Sequence, residues 1–185
     1  MIVYDFGAEK KESTYADYLK TPEGGKFQLI GGEIIEITSP SLYHQDILLN
    51  LSSLFRNFLL KNKIGKVFVS PLDVMLSEKD VYQPDIRILL NESFPKMKEN
   101  KIEGTPDLVV EILSPSTAYY DLKQKKTTYE KSGVREYWVV DPIQKTVELF
   151  ENQNGKFISF AEHSKTEIAK SRLVAGMEIE LEQVF

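Results

Sequence analysis

Between residues 43 and 61, apolar side chains recur at three- and four-residue steps. Ile47, Leu48, Leu51, Leu54, Phe55, Phe58 and Leu59 form one stripe, the pattern of a helix with a single buried face. Gly65 is the expected stop. A second helical pattern covers residues 118–131, capped through Ser114-Pro115-Ser116-Thr117 and closed by Gly133, since Ser and Thr satisfy free N–H groups and Gly accepts the left-handed conformation. A short helix is predicted over residues 13–20, with Ser13 or Thr14 as its cap.

Elsewhere the apolar positions crowd or alternate. KFQLI and EIIEI, separated by Gly31-Gly32, read as a hairpin. Residues 66–76 and 82–90 are rich in branched and aromatic side chains, and each is predicted as one strand. Residues 91–105 are polar and read as a loop with some helical potential. LVVEIL, after Pro106-Asp107, is apolar on both faces and so belongs at the centre of a sheet. Residues 136–140 form another buried strand. Residues 146–150 and 156–160 pair around Asn154-Gly155, a dipeptide suited to the tight hairpin turn. The tail alternates as MEIELEQV. These elements predict a mixed α/β fold in one domain spanning residues 1–185.

Composition changes this picture mainly by exclusion. The chain has no cysteine, which removes disulfides, thiolate metal sites and cysteine nucleophiles and suits a reducing cytoplasm. No apolar run reaches the ~18 residues of a membrane span, and the first residues lack the pattern of a signal peptide. The formal net charge is −5. Residues 148–185 hold seven Glu against three Lys and one Arg, or −3. An acidic chain is poorly suited to phosphate contacts unless the acids lie away from the site and bound cations offset the rest.

The candidate chemistry starts from Glu111, one strong acid inside an apolar strand. A buried carboxylate without a partner is costly, and a divalent cation is one reason to keep it ionised. Asp107 lies four residues away on the same strand, about 13 Å at ~3.3 Å per residue, whereas a neighbouring strand is only ~4.8 Å distant. Geometry therefore favours Asp85, in the other Pro-Asp dipeptide, as the companion of Glu111. Asp107 reads as a polar start to its strand. Trp138 reads as core, and His163 as incidental. No P-loop, dinucleotide fingerprint, nucleophile elbow or helical His pair is present.

In order and spacing, TSPSLYHQDILLNL, SPLDVMLS, VYQPDIRIL, GTPDLVVEILSPST and DLKQKKTTYEKSGVREYWVVDP resemble the Uma-type family of restriction endonucleases, within the PD-(D/E)XK nuclease superfamily. That resemblance implies a restriction-endonuclease-like mixed β-sheet flanked by helices, with an N-terminal hairpin and extra C-terminal strands. It also implies a Mg²⁺-dependent endonuclease, with Mn²⁺ as a substitute, acting on nucleic acid (DNA foremost), cytoplasmic and homodimeric. Asp85 and Glu111 match the metal-binding acids, joined by the Ile112 carbonyl.

The family's lysine does not stand two residues after Glu111, where Leu113 is found. The resemblance moves it to the following helix as Lys125, within Asp121-x-x-x-Lys125-x-x-x-Tyr129, with Lys123 as rival. Asp121 either holds that lysine or complements the helix dipole. Arg87, two residues after Asp85, either touches a phosphate or is a plain surface arginine. His44 matches the family's histidine at the start of the long helix, at the site mouth or packed beside it. Gln28 stands where relatives often carry Glu. That departure, the displaced lysine and the acidic charge also suit a nuclease-fold module that binds or assembles without cutting.

Overall fold

A computed structural model describes residues 12–22, 26–114 and 120–185, with the side chains of Tyr120 and Asp121 outside that description. Thr14 opens a one-turn helix, α1 (Tyr15–Tyr18), where its N–H and hydroxyl donate to the Asp17 carboxylate at 3.1 and 3.0 Å. The predicted hairpin is β1 (Phe27–Ile30) with β2 (Glu33–Glu36). The stripe of apolar residues becomes α2 (Leu42–Asn62), capped by Ser41, whose hydroxyl accepts the His44 N–H at 3.1 Å. Gly65 is not its stop. Lys63 takes the left-handed position at φ 55°, and Gly65 already belongs to the next strand.

Residues 66–76 and 82–90 do not each form one strand. The first divides into β3 (Gly65–Val69) and β4 (Asp73–Ser77), the second into β5 (Asp80–Tyr82) and β6 (Ile86–Leu90). β3 and β6 pair in one sheet, and β4 and β5 pair in another. The physical reason is proline. Pro71, after a cis bond from Ser70, and Pro84 sit in the two breaks and cannot donate to a ladder. The breaks run side by side, and the Ser70 N–H donates to the Asp85 carbonyl at 3.1 Å.

The polar stretch 91–105 does carry a helical turn, and a short strand besides. It holds a 3₁₀ turn (Asn91–Lys96) and β7 (Lys101–Glu103), parallel to β4. After it come β8 (Leu108–Ile112), a π-helical turn (Tyr120–Lys125) and α3 (Lys126–Ser132), which ends on Gly133 at φ 88°. The predicted Ser-Pro-Ser-Thr cap falls largely on residues 115–119, outside the described residues. The chain continues as β9 (Glu136–Asp141), β10 (Thr146–Gln153), β11 (Lys156–Ser164), β12 (Ile168–Lys170) and β13 (Glu178–Glu180).

Among the described residues the larger sheet is ordered β11-β10-β9-β8-β6-β3, and the smaller β2-β1-β5-β4-β7. β8 lies centrally, antiparallel to β6 and parallel to β9. Its alternate residues explain why it is apolar on both sides. Leu108, Val110 and Ile112 meet Ile47, Leu51, Phe55 and Leu59 of α2. Val109 faces the other way, toward Tyr129 of α3 and Tyr137. Each fully buried side chain of this size contributes ~1.5–3 kcal/mol, so the α2 stripe fixes the helix firmly on the sheet. Trp138 lies in the α2 core, edge-on to Phe55 at 5.4 Å. The tail closes that core through Val174, Met177, Ile179, Leu181 and Val184.

Candidate active site

Chemistry-bearing side chains gather where β8 ends, between the first turn of α2 and the π-helical turn. The antiparallel register pairs Ile86 with Val110. One further step places Asp85 opposite Glu111, as neighbours across two strands on one face, where paired Cα atoms are ~4.5–5.5 Å apart. The Asp85 carboxylate accepts the Ile112 N–H through Oδ2 at 2.8 Å. It is tied to the residue that follows Glu111.

Glu111 is buried on the α3 side of β8. Its Oε1 accepts the Lys125 ammonium at 3.1 Å and the Tyr129 hydroxyl at 2.7 Å. Lys125 ends the π-helical turn and Tyr129 lies one α-turn further, so a change of winding brings both donors to one oxygen. Lys123 is exposed and does not line the cleft. Asp121 belongs to the same turn, and its predicted role concerns a side chain outside the described residues.

His44 Nε2 lies 3.1 Å from the Ile112 carbonyl and 3.4 Å from Asp85 Oδ2. Two acceptors on one nitrogen assign the proton to Nε2. Nδ1 is buried with no hydrogen-bond partner among the described residues. Burial pulls the imidazole's pKa down. The hydrogen bond and charge of Asp85, the Ile112 carbonyl and the Glu111 charge outweigh burial and hold it above the ordinary 6.5.

Arg87 is neither a phosphate contact nor a surface arginine. Its guanidinium is wholly buried and donates to the carbonyls of Pro84 at 2.5 Å and Val69 at 2.6 Å. These carbonyls flank the two breaks between the sheets, so Arg87 staples the backbone that presents Asp85. Its face of β6 is the one the smaller sheet covers. Burial brings its pKa down to about 10, opposed by Tyr129, Glu111, Asp85 and Asp73. It stays charged at neutral pH.

Gln28 extends the site into the smaller sheet. Its Oε1 accepts the Gln83 N–H at 3.0 Å, and the Gln83 amide donates to Asp73 at 2.9 Å. Asp107 does open its strand as a polar anchor, accepting the Leu90 N–H at 2.8 Å. Gln83 is not singled out by the sequence, and Tyr129 enters there only as part of the Asp121-x-x-x-Lys125-x-x-x-Tyr129 pattern, without a role of its own. Tyr129 had a signal, its four-residue spacing from Lys125.

The donor set suits a hard cation. Asp85 Oδ2 and the Ile112 carbonyl both face His44 Nε2, whose N–H a cation on these two oxygens would displace. Glu111 adds a second carboxylate across the register. Among the described residues no three His, Cys, Asp or Glu side chains cluster as a metal site. Magnesium does not need such a cage, since it is commonly held by one or two carboxylates and keeps several waters. The residues present therefore fit magnesium better than zinc.

These groups lie in a cleft of about 840 Å³, whose lining includes Lys26, Tyr43, Gln45 and Ile143. No helix among the described residues is long and apolar enough to cross a membrane.

A family model described as "Uma2: Putative restriction endonuclease" matches residues 14–182. An uncharacterized protein of Synechocystis is 32% identical over 154 residues, spanning 78% of this chain and 83% of that relative. A crystal structure described as "a putative nuclease belonging to DUF820" from Anabaena variabilis shares the fold. Its TM-score is 0.77 at 21% identity, over 93% of this chain and 97% of that one.

Proposed function

The chain belongs to the Uma2 family, described as "Putative restriction endonuclease", and on that premise we propose that it hydrolyses phosphodiester bonds of nucleic acid with a divalent cation. One observation carries this reading. Asp85 Oδ2 and the Ile112 carbonyl are oxygens close enough to share one partner, here the His44 N–H, and the buried Glu111–Lys125 pair stands one register step away.

Asp85, Glu111 and the Ile112 carbonyl would hold Mg²⁺, or Mn²⁺ in its place. When bound, the ion supplies the Lewis acidity that polarises a phosphodiester and acidifies water. The protein's own part is positioning and charge. Lys125 places an ammonium beside Glu111, where it can orient the attacking water and stabilise negative charge building on the phosphorus oxygens. Tyr129 fixes Glu111. His44 keeps Asp85 and the Ile112 carbonyl facing one point. Arg87 holds the backbone on which Asp85 is presented.

The test is cutting of supercoiled plasmid and of single-stranded oligonucleotides in Mg²⁺ or Mn²⁺. Purified Asp85→Ala, Glu111→Ala and Lys125→Ala proteins should each lose about 10²-fold or more, while Lys123→Ala keeps its activity. Equal cutting by all preparations, or loss with Lys123→Ala alone, overturns the assignment.

A further inference from the structure

We infer that the cleft admits an unpaired strand of nucleic acid, single or flared open, and excludes an intact duplex. The inference rests on the nuclease reading for what happens at the cleft floor, and on three independent features for what can reach it.

The first is depth. Glu111 and Lys125 are only 2% and 3% exposed, and the Asp85 side chain 15%. A phosphate must enter the cleft to meet them. The cleft holds about 840 Å³, within the ~300–1,000 Å³ of ordinary small-molecule sites. That volume takes a few nucleotides of one strand. One unpaired strand can lower a phosphate to that floor more readily than a strand held in a double helix.

The second is charge. Asp85, Glu111 and Asp141 line the cleft against Lys26 and Lys125, and Lys125 is already engaged with Glu111. The whole chain carries −5. Duplex binding draws most of its non-specific affinity from phosphate neutralisation, and the charges lining this cleft supply little of it. A cation on the carboxylates admits one phosphate, not two facing backbones.

The third is the mouth. Tyr43, in the first turn of α2, is 38% exposed, and Ile143 is 80% exposed. Ile143 stands on a fixed turn, where Asp141 Oδ1 accepts the N–H groups of Ile143 and Gln144 at 2.8 and 3.0 Å. Together with Pro142 these residues put apolar side chains on a cleft otherwise lined largely by polar residues, and the turn that carries Ile143 is held in shape. An aromatic ring and rigid apolar edges suit the faces of unstacked bases, which bind by stacking whatever their sequence. In a duplex those faces are hidden.

The experiment compares one sequence as single-stranded DNA, single-stranded RNA, a splayed-end duplex and a blunt duplex. Binding is followed by fluorescence anisotropy in Ca²⁺, and cutting in Mg²⁺ or Mn²⁺. The unpaired and splayed forms should bind and be cut at least tenfold better than the blunt duplex, and the DNA and RNA arms decide the sugar. Tyr43→Ala and Ile143→Ser should each weaken binding of the unpaired strand about tenfold, with unchanged melting temperature. A duplex bound or cut as well as the single strand, by a reaction that Asp85→Ala abolishes, overturns the inference and leaves the nuclease reading intact. Selective binding of single strands without cutting supports the inference and removes the nuclease reading. No binding to any form overturns both.

Discussion

Lys125 Nζ lies 3.1 Å from Glu111 Oε1, with both side chains 3% exposed. Breaking such a pair on one side leaves a buried charge uncompensated, which costs about 3–5 kcal/mol, whereas removing both charges is far milder. Lys125→Met should therefore destabilise the metal-free protein by about 3 kcal/mol or more. The double variant Glu111→Gln/Lys125→Met should recover much of that loss. Urea unfolding of the four proteins measures the cycle. Additive losses would show that the two groups do not depend on each other.

Binding of a divalent cation to the folded protein alone must raise its stability by mass action. At a hundredfold excess over Kd the gain is ~2.7 kcal/mol, or about 5–10 °C in Tm for a chain of this size. Mg²⁺ and Mn²⁺ should produce that shift in the wild-type protein, and a chelator should reverse it. Asp85→Asn and Glu111→Gln should abolish it. An unchanged melting temperature in the wild type at millimolar metal would count against the cation site.

Much of the site was readable before the fold was known. A Pro-Asp at the start of one strand and a lone Glu in an apolar strand pointed to Asp85 and Glu111 as register partners, because strand spacing is fixed. The choice of Lys125 over Lys123 comes from the family pattern and not from periodicity. It depends on a π-helical turn, which apolar periodicity does not report. Arg87 was misplaced because the face it shares is covered by a second sheet. That sheet exists only because two apparent strands break at Pro71 and Pro84. Those prolines were visible, but which partner each half-strand finds is settled by long-range pairing.

Glu136 is a buried anchor that the strand pattern concealed. Its Oε1 accepts the Trp138 indole N–H at 2.6 Å, and its Oε2 accepts the N–H groups of Arg172 and Leu173 at 2.9 and 2.7 Å. One carboxylate thus ties the tail to the core. A glutamine cannot replace it, since its amide nitrogen would face a donor in either orientation. Glu136→Gln should cost about 2–4 kcal/mol. Hydrogen exchange should show faster exchange of the Arg172 and Leu173 amides before the rest of the fold opens. Protection unchanged at those two amides would remove Glu136 as the tie.

The end of α2 provides a test in both directions. Lys63 holds φ 55° as the helix cap, a conformation that costs an L side chain about 1 kcal/mol and glycine very little. Lys63→Gly should therefore stabilise the protein by about 0.5–1 kcal/mol. Gly65, two residues on, works differently. A Cβ there would stand 2.6 Å from the Leu89 carbonyl oxygen and 3.2 Å from the Leu90 Cα. Both are backbone atoms of β6, paired with β3 in the ladder that leads back to Asp85. Gly65→Ala should cost about 1–3 kcal/mol through that clash, and the shift it forces on β6 should weaken metal binding as well. Equilibrium unfolding of the two single variants decides the matter. If Lys63→Gly destabilises and Gly65→Ala is neutral, the helix ends elsewhere and the close approach of β3 to β6 is wrong.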